Sequence, residues 1–198
     1  MLTTYAASRP ARRHRHAKRV RLIMSRVGIV WGSTMGNTGD AADRLGELLG
    51  LALADVRDIA DVPEATLLKY DVLIIGCSTW NIGELQYDWL RRLTELAGNF
   101  HGKALSFFGA GDAFGYPDTF QDGIGILWEK FSSLGATLIG KWSTAGYDFN
   151  ASRALLDGGK HFVGLALDNE NQEELTDSRL QAWARQLRVE IAALERPA

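Results

Sequence analysis

Residues 32–39 read Gly-Ser-Thr-Met-Gly-Asn-Thr-Gly, a run of glycines and short hydroxyls with no Lys or Arg in it. At a helix N-terminus such a loop can wrap a phosphate with backbone N–H groups and hydroxyls, so that dipoles and hydrogen bonds alone hold the anion. It is neither a Gly-Lys-Ser/Thr P-loop nor a GxGxxG fingerprint. Taken alone it also admits the lesser reading of a plain strand-to-helix turn. Two further loops carry aromatic residues where a flat ligand could be sandwiched: Ser78-Thr79-Trp80-Asn81-Ile82-Gly83-Glu84-Leu85 and Gly109-Ala110-Gly111-Asp112-Ala113-Phe114-Gly115-Tyr116.

Each loop follows a short apolar run that reads as a buried strand: 27–31, 71–76 and 103–108. The pattern alternates strand and helix throughout. Helix 1 is expected over 37–49, with Ala41, Ala42, Leu45, Leu48 and Leu49 on one face. Strand 2 is expected near 52–57, then a turn or short helix opened by Pro63. Helix 3 is expected over 86–97 and helix 4 over 121–134, closed by Gly135. Strand 5 begins at 136–142 and resumes at 161–166, and a last helix over 176–194 has Thr176 and Asp177 as cap candidates. Five strands with helical crossovers predict an α/β fold, a three-layer αβα sandwich around a parallel sheet. The three loops then leave the carboxyl ends of parallel strands, where open α/β sheets bind ligands. The interruption at 143–160 is rich in Gly, Asp, Asn and Ser and too poor in apolar residues for another core element. It reads as a surface loop with a minor stabilising role or as a partner-docking surface.

The 198 residues suit one domain, and no run approaches the 18 apolar residues of a membrane span. Nucleic acid is an unsuitable partner on charge. Residues 1–23 hold seven of the 22 basic residues and none of the 24 acidic ones, leaving 15 basic against 24 acidic in residues 24–198. Such a body repels polyanions and suits basic protein surfaces. Three readings stand for the basic segment: a leader ahead of a true start at Met24, a disordered native arm, or an organellar transit peptide. It is not a secretory signal, because no apolar region follows the charges. The single cysteine, Cys77, excludes an intrachain disulfide and a multi-cysteine metal site, points to a reducing compartment, and reads as a small buried residue. His14 and His16 fall in the basic segment, and His101 and His161 at strand entrances away from the loops. No general acid, base, nucleophile or metal set emerges. Trp128, Trp142 and Trp183 read as core.

The chain resembles a long-chain flavodoxin. GSTMGNT at 32–38, STWNIGEL at 78–85, GAGDAFGY at 109–116, FQDGIGILWEKF at 120–131, WSTAGYDF at 142–149 and FVGLALDNENQ at 162–172 carry the resemblance, which runs from about Ser25 to the C-terminus. It implies strand order 2-1-3-4-5, with strand 5 split by the insertion and FMN at the switch point. That arrangement is the established one for flavodoxins and is not deduced from this sequence. It further implies phosphate contacts from the hydroxyls of Ser33, Thr34 and Thr38 and the N–H groups of Thr34 through Thr38. Gly36 would admit a close backbone approach, while Met35 offers only its backbone and Asn37 completes the loop. Trp80 and Tyr116 would wall the isoalloxazine ring. Thr79 would support the first ring loop, and Asn81, Ile82 and Gly83 form its turn. The Asn81 carbonyl would face flavin N5–H once the Asn81–Ile82 peptide turns. Asp112 and the amides of Gly109, Ala110 and Gly111 would meet the polar ring edge, with Gln121 and then Asp168 as further candidates. Relatives often carry Thr at the place of Ala110 and Asp at the place of Ala145, so two polar contacts are missing here. Glu84, Asp88, Asp112, Asp118 and Asp122 would ring the flavin with negative charge.

The function implied is a low-potential one-electron carrier passing through oxidised, semiquinone and hydroquinone states. It would act in the cytoplasm as a monomer, with basic-surfaced partners such as a flavodoxin/ferredoxin-NADP reductase or a low-potential acceptor enzyme. An FMN-dependent NAD(P)H:quinone reductase on the same fold is the alternative, and a non-redox module lacking the cofactor is the third reading.

Overall fold

The computed structural model describes residues 25–194, so the expectations for residues 1–23 and for Met24 lie outside the described residues. In chain order the elements are β1 (Val27–Gly32), α1 (Asn37–Leu49), β2 (Val56–Asp58), α2 (Glu64–Leu67), β3 (Val72–Trp80), β4 (Glu84–Leu85), α3 (Tyr87–Glu95), β5 (Ala104–Ala110) and α4 (Asp122–Ser133). They continue with β6 (Thr137–Leu138), β7 (Trp142–Ser143), β8 (Leu155–Leu156), β9 (His161–Phe162), β10 (Gly164–Leu167) and α5 (Thr176–Leu194).

The main sheet runs β10-β5-β3-β1-β2 and all of these pairs are parallel. Without the small hairpin strand β4, this is the expected order 2-1-3-4-5. The strands are apolar on both faces because helices cover both. Side chains alternate between the layers with the period of a strand. Val30, Leu73, Ile75, Leu105 and Phe107 join one core with Trp89, Leu127 and Phe131 of α3 and α4. Ile29, Ile74 and Phe108 join the other with Ala42, Leu45, Trp183 and Leu187 of α1 and α5. Among the described residues no helix is long and apolar enough to cross a membrane.

Strand 5 is divided as the sequence suggests. β6 pairs with the start of β5 (Ala104↔Thr137), and β10 with its end (Leu167↔Ala110). The intervening chain departs from expectation. It folds into an antiparallel sheet of order β7-β9-β8 and reaches the core through aromatic residues. Tyr147, Phe149 and Phe162 surround the buried Phe120 at centroid distances of 5.8, 5.6 and 5.8 Å. Tyr147 and Phe149, two aromatics in a polar stretch, carry no periodic signal, yet with Phe162 they pack around Phe120 just ahead of α4. Strand 2 is also shorter than expected, with a 3-10 turn over Leu53–Asp55 before the three residues of β2.

Candidate functional site

A cavity of about 320 Å³ opens at the carboxyl ends of β1, β3 and β5, and the three loops read from the sequence converge on it. Ser33, Met35, Asn37 and Thr38 form one end, Thr79, Trp80 and Asn81 one flank, and Ala110, Gly111, Asp112 and Tyr116 the other. Gln121 lines its base.

The first loop turns at Gly36, whose φ of 98° is left-handed and whose missing Cβ would meet nothing within 4 Å. Its N–H donates to Ser33 Oγ at 3.0 Å, which folds the loop on itself. The first N–H groups of α1 have no intrahelical acceptor and no side-chain cap bonds them. Thr38 is 1% exposed, and its hydroxyl has no hydrogen-bond partner. A buried unpaired hydroxyl at a helix N-terminus, facing a cavity, is arranged to meet an acceptor from outside the chain.

The second loop is not a free loop. β3 continues through Trp80 and pairs antiparallel with β4 in the register Thr79↔Leu85 and Trp80↔Glu84. The three residues between turn through Asn81 at φ 47° and Gly83 at φ 84°, the left-handed region that Asn and Gly tolerate best. Asn81 Nδ2 donates to Glu84 Oε2 at 2.7 Å and Trp80 Nε1 to Ser78 Oγ at 2.9 Å, so the indole is fixed from its polar edge. Thr79 Oγ1 accepts from Gly123 N at 3.0 Å, tying the hairpin to the start of α4. A Cβ on Gly83 would stand 2.7 Å from Asp122 Oδ2.

The third loop is organised by Asp112. Its Oδ1 accepts from Phe114 N at 3.1 Å, Gly115 N at 2.7 Å and Asn171 Nδ2 at 2.9 Å, so this oxygen is engaged within the fold. These bonds, Gly115 N–H foremost, hold the carboxyl below the usual carboxylate range. Tyr116 N donates to Asp112 O at 3.0 Å, and the Tyr116 ring stays half exposed at the mouth. At the base, Gln121 has φ 65° and is fully buried. Its Nε2 donates to Leu167 O at 3.0 Å while Oε1 has no partner. The carboxamide lies under Gly109, where a Cβ would come 2.0 Å from Oε1.

Thr34, Gly36, Ile82, Gly83 and Gly109 do not line the cavity. Thr34 Oγ1 accepts from Gln86 Nε2 at 3.5 Å, and Ile82 is 83% exposed at the hairpin tip. The cavity adds Ser78, Thr119, Phe120, Asn169 and Glu170, which the sequence reading leaves out. Asn169 and Glu170 arrive on the loop after β10, whose place beside β5 is a tertiary fact without a local signal. Asp168, read as the weakest candidate, is buried and accepts from Asn171.

The carboxylates around the mouth are mostly tethered. Glu84 holds Asn81, Asp88 accepts from Gln86 Nε2 at 2.9 Å, and Asp118 accepts from Asn150 Nδ2 at 2.9 Å. Asp122 differs, being 6% exposed under the hairpin and accepting from Arg153 N at 2.7 Å, and burial raises its carboxyl above the usual range. Cys77 is fully buried and its thiol is pushed up to about 12 by burial, so it is no nucleophile at neutral pH. Trp183 is core, its Nε1 donating to Gly140 O at 2.7 Å.

The family model described as Flavodoxin matches residues 29–183. The chain is 47% identical over 167 residues to a flavodoxin of Picosynechococcus sp., covering 83% of this chain and 97% of that one. It is 46% identical over 170 residues to a flavodoxin of Nostoc sp., covering 85% and 99%. Flavodoxin 1 of Azotobacter vinelandii is 42% identical over 173 residues, covering 85% and 98%. Among solved structures, Fusobacterium nucleatum flavodoxin bound to flavin mononucleotide aligns with a TM-score of 0.73 at 26% identity, covering 84% of this chain and 99% of that one.

Proposed function

This chain belongs to the flavodoxin family, and on that premise we propose that it carries electrons one at a time on non-covalently bound FMN. One observation carries the reading: a single cavity joins a cation-free helix N-terminus to two aromatic flanks and a polar base, which are the parts FMN requires. Bound there, FMN supplies reversible electron uptake, a chemistry no side chain here provides.

The groups present fit that ligand. The unpaired Thr38 hydroxyl suits the phosphate, with Ser33, Asn37 and the N–H groups of Thr34, Met35 and Thr38 beside it on a loop that turns at Gly36. Trp80 and Tyr116 suit the two faces of the ring, where stacking adds about 0.5–1.5 kcal/mol per aromatic pair beyond burial. The backbone of Gly109, Ala110, Gly111 and Asp112, with the unpaired Gln121 Oε1, suits the polar ring edge. Asn81, Ile82 and Gly83 form the turn beside the ring, and its left-handed residues favour a peptide that can reorient. Thr79 anchors that turn to α4.

Negative charge at the mouth disfavours further negative charge on the ligand and keeps its potential low. The same charge supports partners with basic surfaces, such as a flavodoxin/ferredoxin-NADP reductase or a low-potential acceptor enzyme. The protein is an electron carrier and not an enzyme. Titrating the apoprotein with FMN, then supplying NADPH without a partner, tests this. One FMN bound per chain and no turnover of NADPH are expected, whereas sustained turnover would assign a reductase.

A further inference from the structure

Asn171 lies outside the sequence-based site, yet its carboxamide is shared by two carboxylates from different strand ends. Its Nδ2 donates to Asp168 Oδ1 at 2.8 Å, just beyond β10, and to Asp112 Oδ1 at 2.9 Å, just beyond β5. Asp112 Oδ1 also receives the N–H groups of Phe114 and Gly115, and Asp168 Oδ2 receives that of Ala113 at 3.3 Å. The stretch 113–115 thus hangs on two carboxylates, and Asn171 is the side chain that joins them.

Apart from Ala113, which is buried in the core, little else holds this stretch from outside. It separates the cavity described above from a second one of about 400 Å³, which Phe114, Tyr147, Phe149, Asp168 and Asn171 help to line. Phe114 is 86% exposed and Tyr116 50%, so apolar packing contributes little at the tip. Two carboxylates brought this close repel unless a donor stands between them, and Asp168 is too buried for water to screen it. A short neutral side chain with two N–H groups on one nitrogen meets that requirement. A third carboxylate would add to the repulsion, and a lysine would cancel the charge that keeps the site negative.

We propose that Asn171 is a positioning residue for the flavin: by bridging Asp112 and Asp168 it sets the 112–116 loop, and through that loop the Tyr116 wall. The proposal rests on the FMN reading of the cavity. Its effect reaches the ring and not the phosphate, because the 32–38 loop stands at the other end of the cavity.

The test uses full-length apoprotein as wild type, Asn171→Leu and Asn171→Ser, titrated with FMN and with riboflavin by flavin fluorescence quenching. The visible circular dichroism of each complex reports how the ring is stacked, and the melting temperature of each apoprotein reports the fold. Asn171→Leu is expected to weaken both ligands by about tenfold to a hundredfold, the effect of a hydrogen bond to a charged group. The two ligands should weaken by the same factor with an altered dichroism, and the apoprotein should melt somewhat lower because the bridge is made without ligand too. Asn171→Ser keeps one donor and should fall between Leu and wild type. Wild-type affinity and dichroism in both variants would overturn the proposal alone. So would an affinity loss with wild-type dichroism, which would mark a general structural role and not a displaced ring wall. Wild-type protein that binds no flavin would overturn the FMN reading as well.

Discussion

Thr38→Val separates the groups that hold a phosphate from those that hold the fold. The Thr38 side chain is 1% exposed and its hydroxyl has no hydrogen-bond partner, so the apoprotein carries a buried unpaired polar group. Such a group costs about 1–3 kcal/mol of desolvation, and valine removes it while keeping the shape and the β-branch. The variant apoprotein should therefore be as stable as wild type or more stable by up to about 1–3 kcal/mol. Its FMN complex should lose a charge-assisted hydrogen bond, about 1.5–3 kcal/mol, which raises Kd by about tenfold to about 150-fold. Riboflavin has no phosphate, so its Kd should not move. Urea unfolding of the apoproteins and parallel titrations with FMN and riboflavin read these quantities. The reasoning is refuted if Thr38→Val binds FMN as tightly as wild type, if riboflavin weakens equally, or if the apoprotein is clearly destabilised.

Two further predictions concern the hairpin. Gly83→Ala places a Cβ at φ 84° and 2.7 Å from Asp122 Oδ2, so backbone strain of about 1–2 kcal/mol adds to the clash, and the urea midpoint should fall. A midpoint equal to wild type would show that the turn relaxes freely. Asp122→Asn follows from a carboxyl whose native pKa is raised by burial. In wild type the matching stability is fully present below the unfolded pKa and is lost as pH rises through the native value, while asparagine does not titrate. Relative to wild type the variant should therefore gain stability between about pH 4 and neutrality, and a difference independent of pH would contradict the assignment.

The sheet and the ligand end of the molecule are legible because their signals are local. The runs 27–31 and 104–108 are predominantly apolar, and the glycine and hydroxyl loop at 32–38 declares its chemistry by composition. What is less legible depends on distant partners. Thr79 and Trp80 look like loop residues, yet Glu84 and Leu85 fold back and make them strand. Tyr147 and Phe149 look isolated until Phe120 and Phe162 gather them. Asp112 reads as a loop residue at the cavity, and only the fold shows that Gly115 and Asn171 also donate to its Oδ1. Asn171 itself is one polar residue among many, and only the placement of β10 beside β5 brings it to the site.

The most direct test of the electron-carrier account is an anaerobic stepwise reduction of the FMN-loaded protein followed by absorbance. The account predicts a long-wavelength band of one-electron-reduced flavin that rises and then decays as the second electron enters at low potential. Passage straight from oxidised to fully reduced flavin, with no such band, would contradict it.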